Sequence, residues 1–198
     1  MKYLIFYGRL DPMYRIIKCE YRNESPRMAR RNFVITALVL VCVAFVLSVV
    51  GYAIPYWESL SNGLTSVHTG LWKVCYFNGG ENTCEDVSLL YGSEIPSWLY
   101  VVRAFVLLGI LGAIAAGALT FMYLRQDSNL WALSSTIVTS GSWVMLVIGV
   151  ATYNTNRTGL LNLAASFYLV SFSDLLCLLS GILLIASWRL SPPGYQSM

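Results

Sequence analysis

The amino-acid sequence predicts an all-α membrane fold: a four-helix transmembrane bundle topped by a small extracellular antiparallel β-sheet from its first loop. Three observations predict it: four long runs with almost no charge, a one-sided distribution of basic residues, and one polar loop with two cysteines. Of 198 residues, 57% are hydrophobic and 12% charged, with a mean hydropathy of +0.61. Soluble domains carry about twice that share of charge.

A bilayer core about 30 Å thick requires about 20 apolar residues per helix. Phe33–Ile54 and Leu130–Tyr153 supply such runs without a charge. The second span covers 99–124, uncharged over Ala104–Leu124, and the fourth, Phe167–Trp188, is interrupted only by Asp174. The remaining segments are an N-terminal tail (1–32), a first outer loop (55–98), a turn (125–129), a second outer loop (154–166) and a C-terminal tail (189–198). They leave no room for a soluble domain. The N-terminal "MKYLIFYGRLDPMYR" has too short an apolar run for a signal peptide, which needs about 7–15 residues.

Lys and Arg near span ends stay cytoplasmic. Eight of the thirteen (Lys2, Arg9, Arg15, Lys18, Arg22, Arg27, Arg30 and Arg31) precede the first span. Arg125 and Arg189 join them if both termini are inside, leaving Lys73, Arg103 and Arg157 outside. Tyr56, Trp57, Trp98 and Tyr153 then mark the outer interface, and Tyr123, Trp131 and Trp188 the inner one. The first outer loop sets one lysine against five carboxylates, a net charge of −4. The basic excess is therefore cytoplasmic, where it can meet anionic lipid. Nothing points to nucleic acid.

That topology exposes Cys75 and Cys84 to an oxidising space, where disulfides persist. Cys42 and Cys177 lie within spans and Cys19 in the cytoplasmic tail, so one pair remains. Between its members, Asn78-Gly79-Gly80 supplies the positive φ angles of a tight turn. The flanks "GLWKVCYF" and "NTCEDVSLL" suit strands, so a hairpin clipped by Cys75–Cys84 is expected. A zinc site would want four Cys or His ligands, and the single histidine, His68, leaves the set short. His68 reads as an ordinary loop residue, and no metal or cofactor is expected.

Trp57, then Gly70-Leu71-Trp72, Cys75 and Cys84 resemble the first-loop signature W…GLW-x2-C-x8–10-C of the claudin superfamily. That group includes claudins, epithelial membrane proteins, the peripheral myelin protein, the lens fibre membrane protein and calcium-channel γ subunits. Arg103, at the outer end of span two, resembles the family's arginine there, and "FYLVSFSDLLCLLSGILL" resembles its fourth span. The resemblance covers Met28 to about Arg189. Several features depart from it. Only 14 residues separate Trp57 from Trp72, and the chain ends "PPGYQSM" rather than in a Tyr-Val tail, so no PDZ partner is expected. The 27 residues before "MARRN" exceed the family's usual short N-terminus.

The resemblance implies a plasma-membrane protein of cell–cell contacts. It would associate with itself in cis and in trans, and with other claudin-like proteins, in adhesion or barrier formation. It also implies charge selectivity from first-loop side chains near the cysteines. Glu85 and Asp86 occupy the matching places and would favour cations if a pore forms; the alternative is a plain solvated acidic surface. A second implied function is a regulatory tetraspan, such as a channel auxiliary subunit or an epithelial-membrane-protein-like factor, binding a membrane channel or other partner laterally. The altered tryptophan spacing and missing tail favour that reading.

Intramembrane charges usually pair or face a water-filled path. Arg103 and Asp174 both fall in the outer leaflet, so an Arg103–Asp174 pair tying span two to span four is expected. The alternative has Arg103 capping loop carbonyls and Asp174 accepting from a Ser or Thr. Gly109, Ala113 and Gly117 in span two, and Ser173, Cys177 and Gly181 in span four, are small residues at helix-face spacing, suited to close packing within the bundle. Asn156-Arg157-Thr158 is a glycosylation sequon that starts three residues after span three, too near the membrane for modification. No enzyme is expected: no phosphate loop and no extramembrane nucleophile–base set is present. Tetraspanins carry their cysteine loop after span three, not span one.

Overall fold

The computed structural model describes residues 12–61, 65–78, 80–92, 94–126, 128–157, 159 and 161–190, with side chains from Met28 onward. The expectations for Cys19 and for the C-terminal "PPGYQSM" lie outside these described side chains. Four long helices are present: α1 (Pro12–Ala53), α2 (Ser97–Gln126), α3 (Asn129–Asn156) and α4 (Ala165–Arg189). All four are long and apolar enough to cross a membrane. Three match the expected spans to within three residues. α1 runs further, since residues 12–32, read as a tail, are helical and make 42 residues of unbroken helix, of which Met28–Ala53 is the part long and apolar enough to span. That stretch carries five Arg, a good helix former, and Pro12 suits a first helical position.

The helices form a ring, α1 packing on α2 and α4, and α3 on α2 and α4. Unlike a soluble bundle, it is apolar on its outside as well as in its core. Val39, Leu111, Ile137, Phe172 and Ile182 are each more than half exposed on the outside, while Ser135, Thr139, Ser142, Ser173 and Ser180 are buried. Lipid removes the penalty on exposed apolar groups, and small or hydroxylated residues then hold helices together. Ser142 Oγ donates across to Gly109 O at 2.6 Å, and Ser180 Oγ to Ala37 O at 3.0 Å.

The small-residue stripes make helix contacts. A β-carbon at Gly109 would lie 2.6 Å from Leu146 of α3, and one at Gly149 only 2.8 Å from Val106 of α2, so these two glycines let α2 and α3 approach. Ala113 is buried; a β-carbon at Gly117 would lie at an ordinary contact distance, 3.8 Å, from Val41 of α1. On α4, a β-carbon at Gly181 would lie 3.6 Å from Ser140 of α3, Cys177 is buried, and Ser173 donates to Val170 O of its own helix.

The first loop holds more sheet than the one expected hairpin. Strands β1 (Glu58–Ser61), β2 (Thr65–Thr69), β3 (Lys73–Asn78) and β4 (Glu81–Asp86) are joined by β5 (Asn162–Leu163) from the second loop, in order β4-β3-β2-β1-β5. β3 and β4 form the clipped hairpin, with Cys75 opposite Cys84 and a disulfide between them. Its turn uses Gly80 at φ +105°, where a side chain would be strained.

Candidate recognition surface and its seat on the bundle

The sheet is anchored where the loop leaves α1. The last carbonyls of a helix lack partners, and Trp57 supplies one. Its Nε1 donates to Gly51 O at 2.8 Å from a fully buried ring that packs on Tyr153 (4.7 Å) and Phe167 (6.0 Å). Its backbone N–H donates to Thr69 O, and its carbonyl accepts from Ala164 N at 2.9 Å. One residue therefore ties together α1, β2 and the start of α4.

Gly70, Leu71 and Trp72 form the second anchor. A β-carbon on Gly70 would overlap Pro55 Cα, so only glycine lets the two loop segments cross there. Leu71 is fully buried, and its carbonyl accepts from Arg103 Nε at 2.8 Å and Nη2 at 2.6 Å. The Arg103 guanidinium also lies 4.5 Å from the Trp72 ring and 5.5 Å from Tyr100, while Trp72 stands edge-on to Tyr52 at 5.4 Å.

This corrects the expected Arg103–Asp174 pair. The guanidinium fork is committed to the Leu71 carbonyl, which a buried loop cannot leave unpaired. Asp174 Oδ1 is buried with no hydrogen-bond partner, so the alternative in which it accepts from a Ser or Thr fails at that oxygen as well.

The two candidate selectivity carboxylates separate. Successive strand residues face opposite sides of a sheet. Glu85 pairs opposite Val74 and shares its face with Thr69 and Glu58, while Asp86 pairs opposite Lys73 on the face of the disulfide. Both are exposed. Asp86 also caps the 3-10 turn Val87–Leu89, accepting from Ser88 N at 2.9 Å, and these hydrogen bonds hold its carboxyl below the ordinary range.

On the Asp86 face, the sheet bounds a cleft of about 330 Å³ lined by Tyr56, Ser66, His68, Phe77, Asn82 and the disulfide. His68, read from sequence as an ordinary loop residue, lies mid-strand with its ring 4.3 Å from Tyr56 and its Nδ1 buried and unpartnered. Among the described residues, no cluster of three His, Cys, Asp or Glu side chains could hold a metal.

The sequence reading missed Glu58. It is 6% exposed, sits between Thr69 and Leu163 across the strands, and its Oε1 lacks a partner. Burial raises its carboxyl above the ordinary value, and Arg157 only partly opposes this. The one available signal was its place beside the signature tryptophan. A carboxyl raised on folding stabilises the fold below the unfolded value, about 4.5, and that contribution disappears as pH rises through the folded value. The thermal midpoint of the purified chain in detergent should therefore fall as pH is raised from about 4.5 to neutrality, and Glu58→Gln should flatten that slope. A wild-type profile as flat as that of the variant would contradict this.

At Asn156 the side-chain amide bonds back to Thr152 O at 2.9 Å, on the last residue of α3. Compared with protein-family models and with characterised proteins, the chain finds no match.

Proposed function

We propose that the chain is a claudin-like integral membrane protein of the plasma membrane, with both termini cytoplasmic, acting at cell–cell contacts. It self-associates through its outer loops, in cis and in trans, in adhesion or in a paracellular barrier. The observation that carries this reading is the disulfide-clipped sheet, seated on four apolar helices through Trp57 and through Arg103 on Leu71. A recognition head must hold its shape while pulled by an opposing surface, and both anchors supply that stiffness. The acidic, exposed β4 makes a cation preference the expected one if a pore forms.

The test uses cells without tight junctions that express the full chain with a cytoplasmic tag. Enrichment only at contacts where both cells express it is expected. Dilution potentials across such layers should then show a cation preference that Glu85→Gln and Asp86→Asn each reduce. Uniform or intracellular distribution would sink the contact reading.

A second reading, a regulatory tetraspan that binds its partner sideways in the membrane, is favoured by one observation: only 14 residues separate Trp57 from Trp72.

A further inference from the structure

Between α1 and α2 lies an apolar groove of about 540 Å³, lined in part by Leu38, Cys42, Val46, Ile114, Gly117 and Phe121. None of its described lining side chains carries nitrogen or oxygen. Cys42, Val46, Ile114 and Phe121 are exposed, so the groove opens sideways, away from the bundle. Gly117 contributes no side chain to it, and a β-carbon there would lie 3.8 Å from Val41 of the facing helix.

The depth of the groove selects the shape of its occupant. Arg103 and Arg125 stand about 33 Å apart along α2 at 1.5 Å per residue, close to the thickness of a bilayer core. Ile114 is midway between them, and the α2 lining runs from Ala113 to Phe121, on the Arg125 side. A transmembrane helix would pack along the whole core, about 30 Å, but this groove stops half-way. An acyl chain stops there too, at the bilayer midplane.

The end of the groove nearest the helix termini is cationic. Ile114, Ala118, Phe121 and Arg125 follow at three- and four-residue steps, so one stripe of α2 leads from the groove to Arg125. The exposed Arg125 guanidinium lies 5.2 Å from the Phe121 ring. On α1, Arg31 is exposed and lies two turns before Leu38, on the same face. Residues 27–33 and 124–130 together carry four arginines and one carboxylate, Asp127. Guanidinium forks match phosphate oxygens, and two of them stand where a chain leaving the groove would meet its headgroup.

We infer that the α1–α2 groove binds one anionic phospholipid of the leaflet at this end of the bundle, its acyl chain in the groove and its phosphate held by Arg31 and Arg125. The inference rests on the four helices spanning a membrane and is independent of adhesion at cell contacts.

The full chain would be reconstituted in phosphatidylcholine vesicles containing a trace of photoreactive phosphatidylserine, or of phosphatidylcholine with the same photoreactive acyl chain. Mass spectrometry would then map the labelled peptides. Labelling within 38–46 and 113–121 is expected, with the serine lipid preferred by about fivefold or more, the worth of one arginine near anionic headgroups. Arg31→Gln combined with Arg125→Gln should abolish the preference but keep the weaker choline-lipid labelling. Gly117→Leu should reduce labelling of the groove by both lipids, and the disulfide gel shift would report that each variant folds. Equal labelling by the two lipids, or a preference that survives loss of both arginines, would overturn the inference. So would oxidative linkage of Cys42 between two copies that phosphatidylserine leaves unchanged, which would assign the groove to self-association. Release of the full chain by alkaline carbonate would instead overturn the spanning reading, and the inference with it.

Discussion

Replacing Trp57 with alanine is expected to cost about 3–5 kcal/mol, the range for truncating a fully buried aromatic side chain. The effect has two separable parts. The ring fills the seam against Tyr153 and Phe167, and the indole N–H closes the end of α1 at Gly51 O. Trp57→Phe keeps much of the first and removes the second, so it should cost only about 1–3 kcal/mol, the penalty for a buried carbonyl left unpaired. Thermal unfolding of the detergent-solubilised chain would order them as wild type, then Phe, then Ala. Equal midpoints for the two variants would mean that the cap at Gly51 carries the whole effect and the packing carries none.

The second large effect falls on Arg103. Arg103→Met removes two charge-assisted hydrogen bonds and leaves the Leu71 carbonyl unpaired, a loss of about 1.5–3 kcal/mol. The cation–π contact with Trp72 adds about 0.5–2 kcal/mol. Lysine restores the charge but not the planar fork, so Arg103→Lys should fall between the two. A lysine variant as stable as wild type would show that charge alone suffices. Because Arg103 acts on the loop and not on Asp174, Arg103→Met and Asp174→Leu should be additive in a double-mutant cycle, within about 0.5 kcal/mol. A larger coupling would restore the intramembrane pair.

These residues show which parts of the molecule were legible. The spans could be read because hydrocarbon imposes one requirement along the whole helix, visible as unbroken apolar runs such as Leu130–Tyr153. The hairpin could be read because Cys75, Cys84 and the Asn-Gly-Gly turn are local signals. Strands β1 and β2, "ESLS" and "TSVHT", carry no such signal. They are short and polar, and exist as strands because they pair with each other, β2 with β3, and β1 with β5, just over 100 residues away. The helical extension of α1 into the basic segment was also not anticipated, since charge alone marked it as a tail.

The sequence by itself determined the four apolar helices, the clipped loop, and the residue types that anchor it. Composition and short-range spacing contain the first two, and the first-loop signature that the chain resembles marked the anchoring residues. Only the tertiary structure decided partners. Arg103 could have served Asp174 or a carbonyl, and the buried Leu71 oxygen claims it. Glu85 and Asp86 are adjacent in the chain but face opposite ways across the sheet. Glu58 is buried by strands on both sides of it. The physical reason is common to the three: a polar side chain's role depends on which unpaired groups and how much apolar surface the folded chain brings within a few ångströms of it.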